Sequence, residues 1–337
     1  NGTMLYILDG GVIDLSDFTG KPTSAKYMFM GGIPRESNII IPNSILSNAI
    51  DASGAFQYSN EKMDLLKPID VSGLDFSNLN NMKEMFSSNR PVVEPEVDAG
   101  EISIKNQISN QQSLNCERMF SYAPYTSLDF GLQGFILNAK DMFYGSNFKE
   151  VDLSHCSSMD VSGAFSDMPN LKSIKLPAIV PQTELIQGQP VSKINLSYAI
   201  RNNPNLEEIL VRNSNYVVES LYLPDLMDTN VRELDVSGLC KPTKLYVGSL
   251  PQTGQFTLSL PKPVSANYIN SEVSAGLTGH EFESVDLRGY YWVWLSISDI
   301  SNQNKSLKHI YMDATDVNLE RFDPSSYLAE GIEIHFS

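Results

Sequence analysis

No stretch of this sequence approaches about 18 consecutive apolar residues, so nothing in it reads as a membrane-spanning helix. Histidine is scarce. His155, His280, His309 and His335 are scattered, and none forms an H-x-x-x-H pair, so no metal site is expected. Neither a Gly-x-Ser-x-Gly elbow nor a Walker loop is present, and no cofactor and no enzymatic activity are expected. Cysteine is limited to Cys116, Cys156 and Cys240. An odd number gives no complete disulfide framework, and the spacings match no zinc ligand set, so all three read as inert core or near-core thiols. Basic residues are in deficit, 24 against 40 acids, for a net charge of −16. Such a surface repels phosphate backbones and argues against nucleic acid as a partner. The first residues lack a basic region followed by an apolar one, so no signal peptide is visible. An opening at Asn1-Gly2 favours a trimmed chain whose export signal or anchor lies outside this sequence.

What the sequence does contain is a repeat. One frame recurs: apolar, two residues, apolar, one residue, apolar. Clear copies are Leu66/Ile69/Val71, Tyr125/Leu128/Phe130, Phe148/Val151/Leu153, Leu171/Ile174/Leu176, Leu206/Ile209/Val211, Val231/Leu234/Val236, Phe282/Val285/Leu287 and Leu307/Ile310/Met312. Weaker copies centre on Asp14, Ile40, Ser103 and Ser259, and a last one lies near Ile334. The residue between the second and third apolar positions serves as a ruler. Its steps range from 23 (Asp129 to Asp152) to 35 (Lys175 to Leu210), mostly 23 to 27, which is the period range of a leucine-rich repeat. Side chains alternate faces along a strand, so the flanking apolar residues point inward and the ruler residue outward. One such strand cannot bury its apolar face alone; stacked coils can.

The fold class expected is therefore a leucine-rich-repeat solenoid of α/β type, one domain over residues 1–337. Its concave face would carry a parallel sheet of about 12–13 short strands. Residues 1–200 read as regular repeats, and 201–337 as more irregular ones with a C-terminal cap. An apolar doublet follows most early strands: Met28-Phe29, Ala55-Phe56, Met85-Phe86, Met119-Phe120, Met142-Phe143, Ala164-Phe165 and Ala199-Ile200. One-turn helical spacing around each, as in Met82/Met85/Phe86, predicts short helices or irregular turns on the back. The doublet is lost in the later repeats, where runs such as Leu245-Tyr246-Val247 predict β segments in its place.

Two stretches, IDVSGLDFSNLNNMKEMF (69–86) and VDLSHCSSMDVSGAFSDMPNLKSIKL (151–176), carry a family likeness. Their D-[LV]-S strand followed by a Met-Phe or Ala-Phe doublet resembles the BspA-like leucine-rich repeats of bacterial surface proteins. The resemblance is good from about residue 12 to 176 and looser from 196 to 312. It implies a secreted or surface-anchored bacterial protein, often an adhesin that binds host or matrix proteins, with no catalytic residues.

Candidate binding residues fall in two groups. Asp129, Asp152, Asp235 and Asp286, with Asp70, share the outward column with Lys175, Leu210 and Tyr311. Asp129 and Asp152 should be neighbours, and like charges side by side are costly unless compensated. Neighbouring hydroxyls or Lys175 could supply that compensation; a basic partner or a cation is the functional alternative. The second group is Tyr290, Tyr291, Trp292 and Trp294, a run that inserts about two residues and holds both tryptophans of the chain. Exposed large aromatics mark protein hot spots and sugar platforms, whereas alternate burial of Tyr291 and Val293 would mark core. Longer loops at 88–101 and 178–193 are further departures from the frame. The tripeptides Asn195-Leu196-Ser197 and Asn304-Lys305-Ser306 match glycosylation acceptors. Three functions compete: a surface adhesion module that recognises a host or matrix protein, a glycan-binding or nutrient-capture surface protein, and an architectural segment that displays another domain.

Overall fold

The computed structural model describes residues 11–31, 33–34, 38–58, 66–67, 70–88, 100–104, 113–131, 134–249, 251, 256–263, 272–275, 284–295, 308–321 and 331–337. It is a parallel-strand β-solenoid of about ten turns with almost no helix. The frame predicts 12–13 strands over the whole chain, part of which lies outside the described residues. The chain divides into two compact units, Asn1–Pro177 and Ala178–Ser337.

The first unit contains β1 (Val12–Asp14), β2 (Ile33–Pro34), β3 (Asn38–Ile40), β4 (Leu66–Lys67), β5 (Glu101–Ile104), β6 (Ser113–Asn115), β7 (Ser127–Phe130), β8 (Gly134–Asn138), β9 (Glu150–Asp152), β10 (Cys156–Ser158) and β11 (Ser173–Lys175). The ruler strands pair in parallel with ruler against ruler: Asp14 with Ile40, Ser103 with Asp129, and Asp152 with Lys175. Ile102 and Ile104, Val151 and Leu153, and Ile174 and Leu176 are buried, while Lys175 between the last two is exposed. Burying each such side chain stabilises the stack by about 1.5–3 kcal/mol.

Of the two forms that the i, i+3, i+4 spacing allows, short helices or irregular turns, the doublets of this unit take the turn, beside the short parallel strands β6, β8 and β10. The N–H of Met85 donates to the Met82 carbonyl, as Met119 does to Cys116 and Met142 to Ala139. The third residue of each turn has a left-handed backbone: Tyr27, Gly54, Glu84, Arg118, Asp141 and Gly163 all have φ between 52° and 66°. A positive φ at that position is the mark of a type II turn and cannot be continued into a right-handed helix. The remaining N–H groups reach sideways to the next coil. Glu84 donates to Glu117, Arg118 to Lys140, Phe86 to Met119 and Phe120 to Met142. Backbone donors spent between coils are not available for i→i−4 bonds, and this is why the doublets form a ladder of turns. Ser24 precedes the first of these turns, and an Asp or Asn opens each of the other five. Asp51, Asn81, Asn115, Asn138 and Asp160 accept from the N–H two residues on, at 2.9–3.2 Å. The phenylalanines then stack from coil to coil, Phe29, Phe56, Phe86, Phe120 and Phe143, with centroids 5.4 Å apart, and Phe143 to Phe165 is 5.8 Å.

The second unit contains β12 (Ala178–Ile179), β13 (Gln182–Ile186), β14 (Gln189–Asn195), β15 (Glu208–Leu210), β16 (Val217–Tyr222), β17 (Glu233–Asp235), β18 (Lys241–Val247), β19 (Thr257–Ser259), β20 (Glu272–Ala275), β21 (Ser284–Asp286), β22 (Trp292–Leu295), β23 (His309–Met312) and β24 (Glu333–Phe336), and one described helix, α1 (Asp316–Arg321). The ruler strands again pair in parallel: Asp235 with Ser259, Asp286 with Tyr311, and Tyr311 with His335. Here the back is a true sheet in the order β13-β14-β16-β18-β20-β22, parallel except for the first pair. Leu221, Leu245 and Val293 face the core and are fully buried.

Most of the long loop at 178–193, from Gln182 on, is part of that sheet. Gln187 and Gly188, both at positive φ, make the tight turn between antiparallel β13 and β14. The loop at 88–101 lies almost wholly outside the described residues. At the far edge, Thr315 caps α1: its Oγ accepts from the Asn318 N–H at 3.1 Å. The buried Asn318 side chain in turn accepts from the Val293 N–H of β22 at 3.0 Å. A helix end thus satisfies part of the described edge strand of that sheet.

Candidate binding surfaces

The Asp column is held by its own turns. Asp70 accepts from the Ser72 N–H at 3.0 Å and the Ser72 hydroxyl at 2.7 Å. Asp152 does the same with Ser154 at 2.9 and 2.6 Å, and Asp235 accepts from the Ser237 N–H at 2.9 Å. The D-[LV]-S element is therefore an Asx turn that closes the end of each strand. Asp286 uses Arg288 instead: it accepts from the Arg288 N–H at 3.0 Å, and its carboxylate is bridged by Nε at 2.9 Å and Nη2 at 2.7 Å. These bonds from Arg288 hold the Asp286 carboxyl at about 2, against an opposing effect of burial. Burial would raise Asp152 too, but hydrogen bonds from Lys175 and Ser154 outweigh it and bring that carboxyl to about 2.

Asp129 and Asp152 are compensated on opposite sides. The Ser103 hydroxyl donates to Asp129 at 3.0 Å, and Lys175 Nζ lies 2.7 Å from Asp152. Asn195 is likewise engaged, accepting from the Ser197 N–H at 3.0 Å and its hydroxyl at 2.7 Å. The Asn195-Leu196-Ser197 match to a glycosylation acceptor is thus a further Asx turn. Asn304-Lys305-Ser306 lies outside the described residues.

The aromatic run divides. Tyr290 is 1% exposed, and its hydroxyl donates to the Pro261 carbonyl at 2.9 Å. It belongs to the core and offers no surface to a ligand, because its polar end already has a partner inside the fold. Tyr291 is half-buried and its carbonyl accepts from the Thr315 hydroxyl at 2.8 Å. Trp292 is 40% exposed, while Val293 behind it is fully buried. Trp294 is in register with Ser274 of β20, and its side chain lies outside the described residues.

Two aromatic residues that the frame did not single out join this face. Tyr222 and Tyr246 are in register on β16 and β18, one coil apart, and their rings stack at 4.5 Å and 8°. Both flank the buried Leu221 and Leu245, so they sit on the outer side of the back sheet, as Trp292 does. The backbone row runs Tyr222, Tyr246, Ser274, Trp294. The spacing of 24 between Tyr222 and Tyr246 is the signal that would have found them.

A third cluster was not anticipated at all. His309 on β23 and Glu333 and His335 on β24 bring their side chains together, with His309 Nδ1 3.1 Å from His335 Nε2. The two histidines are 26 residues apart, which is invisible to a search for helical pairs but is one coil on the ruler.

The three cysteines are free and buried, and burial raises the Cys116 thiol and lifts Cys240 to about 12. Both are poor nucleophiles for that reason. Among the described residues no helix is long and apolar enough to cross a membrane. No family model, curated protein or solved structure matches the chain.

Proposed function

We propose that this chain is a protein-recognition module of a secreted or surface-anchored bacterial protein, built from BspA-like leucine-rich repeats whose back is turn and sheet. The observation that supports this reading is the outward face of the back sheet in the second unit. Strand alternation places Tyr222, Tyr246 and Trp292 there, outside the core that Leu221, Leu245 and Val293 fill. Aromatics of this kind supply large contact area at low entropic cost and dominate protein interfaces. The acidic surface, with a net charge of −16, favours a partner with a basic face and association that slows as salt rises.

Glycan capture is the second reading, and Trp292 favours it. Against it stands the Tyr222–Tyr246 stack: rings packed on each other at 8° turn a face inward that a sugar ring would need.

Surface plasmon resonance against immobilised matrix and serum proteins, run beside a glycan array, tests both readings. Tyr246→Ala and Trp292→Ala should each weaken binding to a protein by roughly tenfold, the effect of a hot-spot truncation. A ligand bound equally by wild type and both variants would move the docking surface elsewhere. Binding confined to the glycan array would establish the second reading.

A further inference from the structure

The end of the ruler sheet in the second unit holds a constellation that neither the repeat nor a binding face requires. β23 and β24 are adjacent parallel strands, in register His309 with Glu333 and Tyr311 with His335. His309 therefore opens one strand, while Glu333 and His335 lie two residues apart on the next, on the side of the sheet opposite the buried Ile310. Three donor atoms converge: His309 Nδ1, His335 Nε2 and one carboxylate oxygen of Glu333. The separations are 3.1 Å between the two nitrogens, 3.4 Å from His309 to Glu333, and 3.6 Å from His335 to Glu333.

Those three lengths carry the inference. Bonds from zinc to imidazole nitrogen and carboxylate oxygen of about 2.0–2.2 Å place the corners of a tetrahedron about 3.3–3.5 Å apart. The observed triangle therefore has the size of one face of such a tetrahedron. We propose that His309, Glu333 and His335 form a site for a single late first-row divalent cation, with zinc as the reference ion. Two imidazoles and a carboxylate select this class over magnesium or calcium, which take oxygen ligands. The side chains are 32%, 58% and 40% exposed, so an ion reaches them from solvent and its fourth position remains open to water or to a group on a partner.

The surroundings suit the role. The Tyr311 ring stacks on His335 at 4.7 Å and 17°, which fixes the plane of that imidazole. Arg288, two residues past the end of the preceding ruler strand, lies over Tyr311 and is bridged to Asp286, so its charge is partly neutralised. A cation at this point would tie the last two described ruler strands together. It would close a loop from His309 to His335 and hold the edge of the described ruler sheet.

Isothermal titration of zinc chloride into the full chain, without a histidine tag, tests the proposal. One ion per chain should bind in the micromolar range. His309→Gln and His335→Gln keep a polar amide in place of each ring and should weaken binding by roughly tenfold or more, since even outer-shell losses at metal sites reach that size. His155→Gln, on an exposed histidine of the first unit, should bind as wild type does. Cobalt should replace zinc and give the intense visible bands of a tetrahedral site. Absence of stoichiometric zinc binding in the wild type would overturn the proposal and leave a hydrogen-bonded histidine pair. Binding that survives in the His309→Gln/His335→Gln double variant would overturn it as well.

Discussion

The two units share a ruler strand and differ in what they place behind it. In the first unit a ladder of type II turns, each with one left-handed residue and one phenylalanine in a continuous stack, stands beside the short parallel strands β6, β8 and β10. In the second the back is a hydrogen-bonded sheet whose residues alternate between the core and the outside. The difference governs where large side chains go. A turn ladder sends its apolar doublet into the interior, so Met85, Phe86, Met119 and Phe120 are all fully buried. A strand of the same length must present half of its side chains outward, and Tyr222, Tyr246 and Trp292 are the result. Binding chemistry is therefore expected on the back of the second unit and stability chemistry on the back of the first.

The largest break in that contrast should come from the phenylalanine stack. Phe120→Ala removes a ring stacked on both Phe86 and Phe143 and should destabilise the first unit by about 3–5 kcal/mol. Tyr246→Ala, the corresponding ring in the second unit, should cost far less because it leaves no buried cavity. Denaturant melts of both variants compare them directly; equal losses would mean that the outer tyrosines are structural.

A smaller effect follows at the left-handed positions. Gly163→Ala places a Cβ at φ +66°, about 2.0 Å from Asp141 Oδ1, and should cost about 1–3 kcal/mol. Asp141→Gly, in the same slot one coil earlier, should be close to neutral or stabilising, because it relieves that backbone. Should Gly163→Ala melt with the wild type, the ladder does not depend on the turn type assigned to it.

The smallest effect is acid-induced. Asp152 and Asp286 sit at about 2 in the folded chain, below their ordinary value near 4. A depressed carboxyl stabilises the fold above its unfolded value, and that contribution is lost as pH falls from about 4 through about 2. Both groups are more than a third exposed, so solvent screening holds each to at most about 1 kcal/mol. Asp152→Asn and Asp286→Asn should each shallow the loss of melting temperature between pH 4 and 2. An unchanged acid profile in the double variant would show that these pairs contribute nothing.

Much of this was legible in the sequence. The ruler strands were, because period-2 alternation between Val151, Asp152 and Leu153 has one structural meaning once it recurs every coil. The β character of the later back was readable from Leu245-Tyr246-Val247. For the early back the sequence left short helix and irregular turn both open, because Met82, Met85 and Phe86 occupy one face of a helix as readily as two successive turns. The deciding signal was in the slot two residues before each phenylalanine, where Gly54 and Gly163 stand in line with Asp141, Glu84 and Arg118. Glycine twice in one column asks for a positive φ, which a helix refuses. The histidine cluster escaped for a related reason: ligand spacings were sought along one element, whereas a solenoid brings together residues one coil apart.

The sideways hydrogen bonds of the turn ladder also set how the first unit would respond to a pulling force. An interior coil is bonded on two sides and stacked through two rings, whereas a terminal coil is bonded on one side only. Tension applied at the end of such a stack meets a single ladder at a time, so its coils should detach in sequence, each release lengthening the chain by one period of the ruler. Such a stack would lengthen by one ruler step at a time and absorb load by unwinding from the end, leaving the coils behind it intact.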